Sequence, residues 1–261
     1  MKTEQKITAL APFGALVAGG GAVTELDIGW LQKAVLEHRV VVLRGFEALD
    51  RGDFEAFAAR FGAILRWNFG AVLDVVVDGD AKNYLFTSGS VPHHWDGAFA
   101  EKVPFLQIFQ CLAAPNSSQN QGGETVFCDT TRLWNAASPQ QQARWNAVEI
   151  TYHTEKIAHY GGEICADLVS RHPISGQTTL RFAEPPDAQT APLNPLFLEA
   201  DGAPLDELLR ELQPLLYSPQ FCYVHDWHDG DFILADNHAL LHARRAFSPG
   251  AKRHLQRIHI Q

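Results

Sequence analysis

The sequence predicts a mainly β protein with flanking helices, arranged as an antiparallel sandwich or a barrel. Short segments rich in β-branched and aromatic residues recur after residue 70. Turn formers such as Ser175-Gly176 and Asp229-Gly230 separate these segments, and only one strong helical pattern lies among them. Many short strands with few helices between them favour this class over a doubly wound parallel sheet.

The composition is that of an ordinary globular protein. The 261 residues are 46% hydrophobic and 20% charged, which is typical of a chain that folds around its own core. The formal net charge is −9, so the chain lacks the excess of Lys and Arg that nucleic acid or a polybasic membrane contact requires. A small anionic substrate stays compatible, because a pocket can be locally basic. We expect residues 1–261 to form one domain.

The cysteines and the N-terminus predict a cytoplasmic protein. The cysteines are widely spaced and form no CxxC pair, which indicates reduced thiols instead of a disulfide framework or a structural zinc site. They are Cys111, Cys128, Cys165 and Cys222. The first residues lack the apolar core of a signal peptide, and no apolar run reaches the ~18 residues that a membrane span needs.

The first 60 residues predict a helix, a strand and a second helix. Residues 9–23 are apolar but carry Pro12 and several glycines, which indicates a loop. Asp27 is a candidate N-cap for a helix that ends near His38, since apolar residues follow it at helical spacing. Residues 40–43 form a short apolar run that suits a buried strand.

The remaining elements follow from the same signals. A second helix begins at Asp50 or Asp53 and is stopped by Gly62. The leucine spacing of residues 205–216 predicts a late amphipathic helix, and the proline-rich residues 184–195 indicate a surface loop. Strands are predicted at 72–77, 105–109, 125–127, 148–152, 168–171, 178–182, 221–224, 232–234 and 255–260.

One histidine and one aspartate stand at a spacing that suits a metal site. Within a strand, His94 and Asp96 would point to the same face, and His242 would complete two imidazoles and one carboxylate. This set binds one face of a divalent metal and leaves positions open, as in non-haem iron oxygenases. A surface or turn pair is the alternative. His93 would face the other way and is expected to be structural.

The C-terminal segment carries two arginines that suit an anion site. Arg253 and Arg257 would share one face of the last strand, and buried arginines call for an anionic partner such as a carboxylate. The alternative is a solvated C-terminal edge. The Gly-Gly-Glu-Thr run at 122–125 supplies a tight turn and the Thr125 hydroxyl at the entry to a strand; the alternative is a plain hairpin turn.

These motifs together carry a family resemblance. They are His94-Trp95-Asp96, Gly122-Gly123-Glu124-Thr125, Asp236-Asn237, His242-Ala243-Arg244 and Arg253. In this order and spacing, over residues 30–261, the chain resembles the TauD/TfdA family of Fe(II)- and 2-oxoglutarate-dependent dioxygenases. The resemblance implies a double-stranded β-helix (jelly roll) core with flanking helices.

The resemblance also implies a cofactor set and a residue for each part of it. His94, Asp96 and His242 would bind Fe(II), with 2-oxoglutarate as cosubstrate and O2 as oxidant. Arg253 would bind the distal carboxylate of 2-oxoglutarate. Thr125 would hydrogen-bond the same carboxylate.

The expected partner is a small-molecule substrate, with no nucleic acid or membrane, and the oligomeric state is open. Arg257 matches the family position that contacts an anionic group of the primary substrate. Phe99, Phe109 and Phe182 are candidates for an aromatic pocket wall, and core packing is the alternative for each. A polar cluster could also reach the substrate, although a solvated loop is the preferred interpretation. It comprises His153, Lys156 and His159.

Longer stretches resemble the PvcB/IsnB branch of the family, which acts on isonitriles derived from amino acids. They are residues 94–99, 107–111, 127–130, 152–156 and 181–185. This branch implies oxidation of tyrosine isonitrile, or a close aromatic relative, to a vinyl isonitrile. Chlorinating relatives replace the metal-binding carboxylate by Gly or Ala, so Asp96 argues against halogenation.

Two other functions stay open from the sequence. One is a 2-oxoglutarate-dependent hydroxylase of another small carboxylate or sulfonate on the same scaffold. The other is a non-catalytic jelly-roll binding protein, or a zinc protein that uses the same side chains. A pure binding module has no need of the cosubstrate site at Thr125 and Arg253, which favours the enzyme.

Overall fold

The computed structural model describes residues 7–115, 121–157, 160–187, 193 and 195–261, without the side chains of 156, 157 and 160. Its strands are β1 (Ile7–Ala9), β2 (Ala15–Ala18), β3 (Val40–Arg44), β4 (Leu73–Val76), β5 (Val91–His94), β6 (Leu106–Ala113), β7 (Thr125–Asp129), β8 (Glu149–Ile157), β9 (Tyr160–Asp167), β10 (Val169–Arg171), β11 (Thr178–Leu180), β12 (Phe197–Asp201), β13 (Cys222–His225), β14 (Phe232–Asp236), β15 (Leu240–Arg244) and β16 (His254–Ile260). Its α-helices are α1 (Ile28–His38), α2 (Arg51–Ala59), α3 (Thr130–Ala136), α4 (Pro139–Trp145) and α5 (Leu205–Leu216).

Two facing sheets form the centre of the molecule. The major sheet has the strand order β1-β2-β3-β14-β6-β16-β4, and the minor sheet has the order β13-β7-β15-β5. All their strand pairs are antiparallel except β2 with β3. This sandwich, with chain-distant strands as neighbours, is the expected jelly roll and confirms the predicted fold class.

The outer face of the major sheet packs on the first two helices. Alternate residues of its strands, such as Ile108 on β6 and Ile258 on β16, join one buried cluster with Leu31 of α1 and Phe57 of α2. Strand residues point alternately to opposite faces, so their neighbours in sequence face the minor sheet. The interior of the sandwich therefore receives the odd-numbered positions of β6 and β16.

The outer face of the minor sheet carries a second core. Val126 and Cys128 of β7 pack there with Leu212 of α5 and with Ile150 and Tyr152 of β8. Strand β8 lies between β12 and β9 in a separate three-stranded sheet. Much of one side of the minor sheet is thus covered, and its other side lines the space between the sheets.

Local signals placed three helices correctly. Asp27 caps α1 by accepting from the Trp30 backbone N–H at 2.9 Å, and Asp50 caps α2 by accepting from Asp53 N at 2.8 Å. Helix α5 spans the predicted residues 205–216. The predicted strands are all present, with bounds that differ by a few residues.

Other predictions were wrong or incomplete. Residues 9–23 are not a loop throughout, because β2 pairs with β3 and buries Ala15 and Val17 completely. Helices α3 and α4 were missed, although Ser138 and Gln141 form a capping box that starts α4. Of the predicted loop 184–195, the described residues contain neither helix nor strand. No described helix has the length and apolarity needed to cross a membrane.

The cap of α3 has a measurable role in stability. The buried Asp129 carboxylate accepts from Thr131 N, Arg132 N and the Thr131 hydroxyl. Because Asp129→Ala leaves these buried donors without an acceptor, we expect it to lower the free energy of unfolding by about 2 kcal/mol in urea titrations. Asp129→Asn keeps an acceptor oxygen and should lose less than about 1 kcal/mol. Equal losses in the two variants would contradict this role.

Candidate metal centre and adjoining cavities

The three side chains predicted to bind metal meet between the sheets. One ligand atom each from His94, Asp96 and His242 lies within 4.8 Å of the others. His94 Nε2 is 3.6 Å from Asp96 Oδ1, and His242 Nε2 is 3.7 Å from Asp96 Oδ2. Asp96 and His242 are buried and His94 is half-buried. Two imidazoles and a carboxylate at these distances are the donor set that ferrous iron takes in non-haem oxygenases.

The ladder between β5 and β15 places the two imidazoles side by side. His242 stands opposite His94 in the register, and their ring centroids are 4.2 Å apart. His94 Nδ1 lies 2.9 Å from the Pro92 carbonyl oxygen, so it donates there and leaves Nε2 to a metal. Burial first, and then the neighbouring His94, lower the pKa of His242 well below its usual value, which keeps its imidazole neutral.

Asp96 lies in a turn, contrary to the expectation that one strand holds both residues. Strand β5 ends at His94. The Asn237 side chain binds the backbone of Asp96 at both polar groups: Oδ1 accepts from Asp96 N at 3.0 Å, and Nδ2 donates to Asp96 O at 3.0 Å. At Gly97, φ is +79° and a Cβ would lie 2.4 Å from Pro104 Cδ. Asn237 and this glycine therefore fix the position of Asp96.

Three donors converge on one oxygen of the Asp96 carboxylate. Asp96 Oδ2 accepts from Gln107 Nε2 at 2.6 Å, Arg257 Nη1 at 2.7 Å and His259 Nε2 at 2.8 Å. Gln107 and His259 are cross-strand partners on β6 and β16. Burial alone would raise the pKa of Asp96, but the charge of Arg257 and the hydrogen bond from His259 hold it well below its usual value. The carboxylate is therefore ionised and ready to bind a cation.

Arg253 is a buried cation without a counter-ion. Its Nε donates to Gly123 O at 3.0 Å and its Nη2 lies 3.5 Å from Thr125 Oγ1, but it forms no ion pair with any carboxylate in the described part of the chain. A Cβ on Gly123, where φ is +89°, would lie 3.2 Å from Arg253 Cδ. Because a buried guanidinium is costly without an anion, this site fits a carboxylate group of a ligand.

Trp227 sets the direction of the Thr125 hydroxyl. The indole Nε1 lies 3.0 Å from Thr125 Oγ1, and an indole N–H can only donate. Thr125 Oγ1 therefore accepts from Trp227 and keeps its own hydrogen for another acceptor. Thr125 and Arg253 line one small cavity between the sheets together with His94 and His242, so a bound anion there would be close to the metal site.

A second cavity of about 230 Å³ adjoins the smaller one and shares Leu85, His94 and Arg257 with it. His94, Asp96 and Arg257 form one end of it. Seven aromatic side chains contribute to its walls: Trp67, Phe69, Tyr84, Phe86, Trp95, Phe99 and Tyr152. Such a lining suits an aromatic ring.

One segment of the cavity wall is attached to a strand of the minor sheet. The guanidinium of Arg244 on β15 donates to the backbone carbonyl oxygens of Tyr84, Leu85, Thr87 and Gly89, at 2.7–3.1 Å. Its side chain is buried. Residues 84–86, which line the cavity, are thereby held two residues from His242.

The predicted substrate residues have different outcomes. Phe99 lines the aromatic cavity. Phe182 does not line it; the side chain is fully buried in the core behind the minor sheet, so the structure favours core packing over a substrate contact. Phe109 lines the smaller cavity. Arg257 reaches the aromatic cavity but also donates to Asp96, which the sequence did not predict.

The arginines of the last strand do not form a solvated edge. Arg253 and Arg257 are 5% and 8% exposed, since β16 is an inner strand between β6 and β4. His93 faces away from the metal site, with Nδ1 3.4 Å from Glu184 Oε2. Within the predicted polar cluster, His153 is exposed and packs its ring near Phe197. His159 and the side chain of Lys156 lie outside the described residues.

Sequence reasoning missed the side chains that surround the metal ligands and the anion site. They are Trp67, Gln107, Trp227 and His259, together with the role of Asn237. Period two along β16 was a usable signal for His259, because it shares a face with Arg257. Trp67 had no such signal, because its contact with His259 forms only when two segments far apart in sequence meet in the fold.

Two related proteins can be aligned with nearly the whole chain. The 3-((Z)-2-isocyanoethenyl)-1H-indole synthase of Fischerella ambigua is 49% identical, over 97% of this chain and 94% of its own length. The tyrosine isonitrile desaturase of Pseudomonas aeruginosa is 38% identical, over 95% of this chain and 87% of its own length.

Solved structures and a family model agree with this similarity. PvcB from Pseudomonas aeruginosa, described as an Fe, alpha-ketoglutarate dependent oxygenase from an isonitrile synthetic pathway, matches with a TM-score of 0.82 at 33% identity. The match covers 100% of this chain and 93% of PvcB. The model of the taurine catabolism dioxygenase TauD, TfdA family matches residues 6–259. Since the fold, the His-Asp-His cluster and these matches coincide, the chain belongs to the TauD/TfdA family of iron- and 2-oxoglutarate-dependent dioxygenases.

Proposed function

We propose that this enzyme oxidises an isonitrile derived from an aromatic amino acid to the corresponding vinyl isonitrile. The observation that carries the proposal is the aromatic cavity that ends at His94, Asp96 and the buried Arg257. An aromatic amino-acid isonitrile has a ring for the cavity walls and a carboxylate for the guanidinium. The named relatives act on molecules of this class, which supports the same substrate class here.

His94, Asp96 and His242 would hold the ferrous ion through two neutral imidazoles and one carboxylate. Iron bound there supplies the activation of O2 that removes hydrogen from an unactivated C–H bond. The protein supplies orientation: the aromatic walls hold the ring so that the adjacent CH2 group faces the metal ligands. They also exclude water from the reacting carbon atoms.

The second binding site would take the cosubstrate. Arg253 has no carboxylate partner among the described residues, so it would pair with the distal carboxylate of 2-oxoglutarate, and Thr125 would donate its hydroxyl hydrogen to the same group. Charge-assisted bonds of this kind are stronger than neutral ones. Because both residues lie away from the aromatic cavity, cosubstrate and substrate would approach the metal ligands from different sides.

Arg257 would hold the carboxylate of the primary substrate. One guanidinium hydrogen goes to Asp96 Oδ2, and Arg257 Nε is buried without an acceptor. A guanidinium has five N–H donors, so Arg257 can serve Asp96 and a substrate anion together. A substrate held there would have its carboxylate next to the carbon atoms that react.

The reaction balances without a further reductant. The substrate loses CO2 from its α-carbon and two hydrogen atoms, and a double bond forms between its α-carbon and its β-carbon. 2-Oxoglutarate is oxidised to succinate and CO2, and O2 is reduced, with one oxygen atom entering succinate and the other leaving as water. The carboxylate leaves as CO2, and Arg257 would orient it before the bond to the α-carbon breaks.

The identities of the relatives support an indole ring in the substrate. The relative named for an indole product is 49% identical, whereas the tyrosine isonitrile desaturases are 38% and 36% identical. We therefore expect the indole substrate, the isonitrile of tryptophan, to be turned over faster than tyrosine isonitrile. This choice narrows the aromatic class that the sequence predicts.

A direct assay tests the proposed function. Purified protein with Fe(II), 2-oxoglutarate and O2 is given tryptophan isonitrile or tyrosine isonitrile, and products are identified by mass spectrometry. The expected product has lost CO2 and two hydrogens, with succinate formed in equal amount. A product that has gained one oxygen and kept its carboxylate would identify a hydroxylase instead. Succinate formation that neither isonitrile stimulates would reject the substrate class.

Removal of a predicted metal ligand should abolish metal binding. We expect Asp96→Ala and His242→Ala to lower the affinity for Mn(II), a redox-stable substitute for Fe(II), by more than about a hundredfold, since loss of a mere outer partner costs tenfold to a hundredfold. Titration calorimetry measures this directly, and turnover should be lost in parallel. His153→Ala is the matched control, because that histidine is exposed and outside the cluster. Unchanged Mn(II) affinity in either ligand variant would reject the assignment.

Arg253 should act on cosubstrate binding more than on turnover. Arg253→Ala removes a charge-assisted contact, so we expect the KM for 2-oxoglutarate to rise about tenfold to a hundredfold, with a much smaller change in kcat at saturation. Arg253→Lys keeps the charge but loses the planar guanidinium, so its KM for 2-oxoglutarate should lie between those of the wild type and Arg253→Ala. If 2-oxoglutarate dependence is the same in all three proteins, Arg253 does not bind the cosubstrate.

A further inference from the structure

We propose that Trp67 and His259 are positioning residues for the metal-binding carboxylate: they hold Asp96 Oδ2 so that Asp96 offers only Oδ1 to the metal. The inference deepens the proposed function and rests on it only in taking Asp96 as a metal ligand. It assigns a task in the metal centre to a wall residue of the substrate cavity.

The two oxygens of Asp96 have different surroundings. Oδ2 accepts from Gln107, Arg257 and His259 at 2.6–2.8 Å, which takes up its acceptor capacity. Among the described residues, no group donates a hydrogen bond to Oδ1, whose neighbour is His94 Nε2 at 3.6 Å. A metal ligand needs a free lone pair, so the carboxylate would bind through Oδ1 alone.

Trp67 determines which nitrogen of His259 carries the proton. The indole Nε1 lies 3.1 Å from His259 Nδ1, and because an indole can only donate, Nδ1 must accept. The proton of the neutral imidazole is then on Nε2, which lies 2.8 Å from Asp96 Oδ2 and donates to it. Without the indole N–H, His259 would be free to adopt the other tautomer, whose Nε2 would repel the carboxylate.

This chain of contacts is built into the interior. His259 is 2% exposed, and its ring packs edge-on against Trp67 with centroids 5.8 Å apart. Trp67 and His259 both line the aromatic cavity. Phe69 stacks on Trp67 at 6.4 Å in the same wall, but its phenyl ring carries no N–H to donate to His259, so it provides a matched comparison.

Loss of these donors should weaken metal binding in a predictable order. Outer partners of metal ligands are worth about tenfold to a hundredfold in affinity. We expect Trp67→Phe, which keeps an aromatic wall but removes the N–H, to weaken Mn(II) binding about tenfold. His259→Leu should weaken it more, whereas His259→Gln, which keeps a donor, should regain most of the affinity. Phe69→Leu should leave Mn(II) affinity unchanged.

The experiment is a Mn(II) titration by calorimetry of the full-length wild type and these variants, with thermal unfolding of each metal-free protein as the check on folding. Visible absorption of the Co(II)-loaded proteins adds a readout of coordination, and it should change in Trp67→Phe but not in Phe69→Leu. If His259→Leu does not fold, the Mn(II) affinities of Trp67→Phe and Phe69→Leu still test the positioning role.

Equal Mn(II) affinities and equal Co(II) spectra in wild type, Trp67→Phe and Phe69→Leu would overturn the positioning role. So would parallel losses in Trp67→Phe and Phe69→Leu, which would indicate a general effect of the cavity wall. Failure of the wild type itself to bind Mn(II) would instead reject the proposed function, so the two outcomes are distinct.

Discussion

The structure depends on one buried, ionised carboxylate. Asp96 is 8% exposed, and a buried charge is stable only when it is paired and hydrogen-bonded. The major sheet supplies that pairing to the turn after β5: β6 and β16 carry Gln107, Arg257 and His259, and Asn237, directly after β14, binds the Asp96 backbone. The same contacts keep the side chain ionised and leave Oδ1, the oxygen nearer to His94, without a hydrogen-bond donor among the described residues. The contacts that stabilise this buried charge therefore also form the metal site.

The two-sheet arrangement separates two anion sites around this charge. Arg253 and Arg257 are four residues apart at odd positions beside and within β16, and both side chains point between the sheets. Arg253 reaches Thr125 at the entry to β7, whereas Arg257 reaches Asp96 at the end of the aromatic cavity. Arg253, just before β16, and Arg257, within it, thus place two cations near the metal ligands, and Arg257 lines both cavities. Two carboxylates can bind without competing for the same guanidinium.

Local sequence signals predicted the elements that local chemistry determines. Asp27, Asp50 and the leucines of α5 act within one turn of their own helix, so the bounds of these helices were predictable. The ligands were predictable from residue type and order, although Asp96 lies in a turn and β15 was not recognised as the strand that carries His242. The Trp67–His259 contact joins residues 192 positions apart, and such pairs follow from strand register instead of spacing. Phe182 was predicted wrongly for a different reason: it is next in sequence to Ala183, which lines the cavity, but its own side chain points into the core.

The anchoring of residues 84–89 by Arg244 has an evolutionary consequence. Every bond from this guanidinium goes to a backbone carbonyl oxygen, so the attachment does not depend on which side chains the segment carries. Tyr84, Leu85 and Phe86 can therefore be exchanged, and the shape of the cavity changed, while the segment stays attached to the strand that bears His242. A lineage could diversify the ring it accepts at these positions without rebuilding the iron centre.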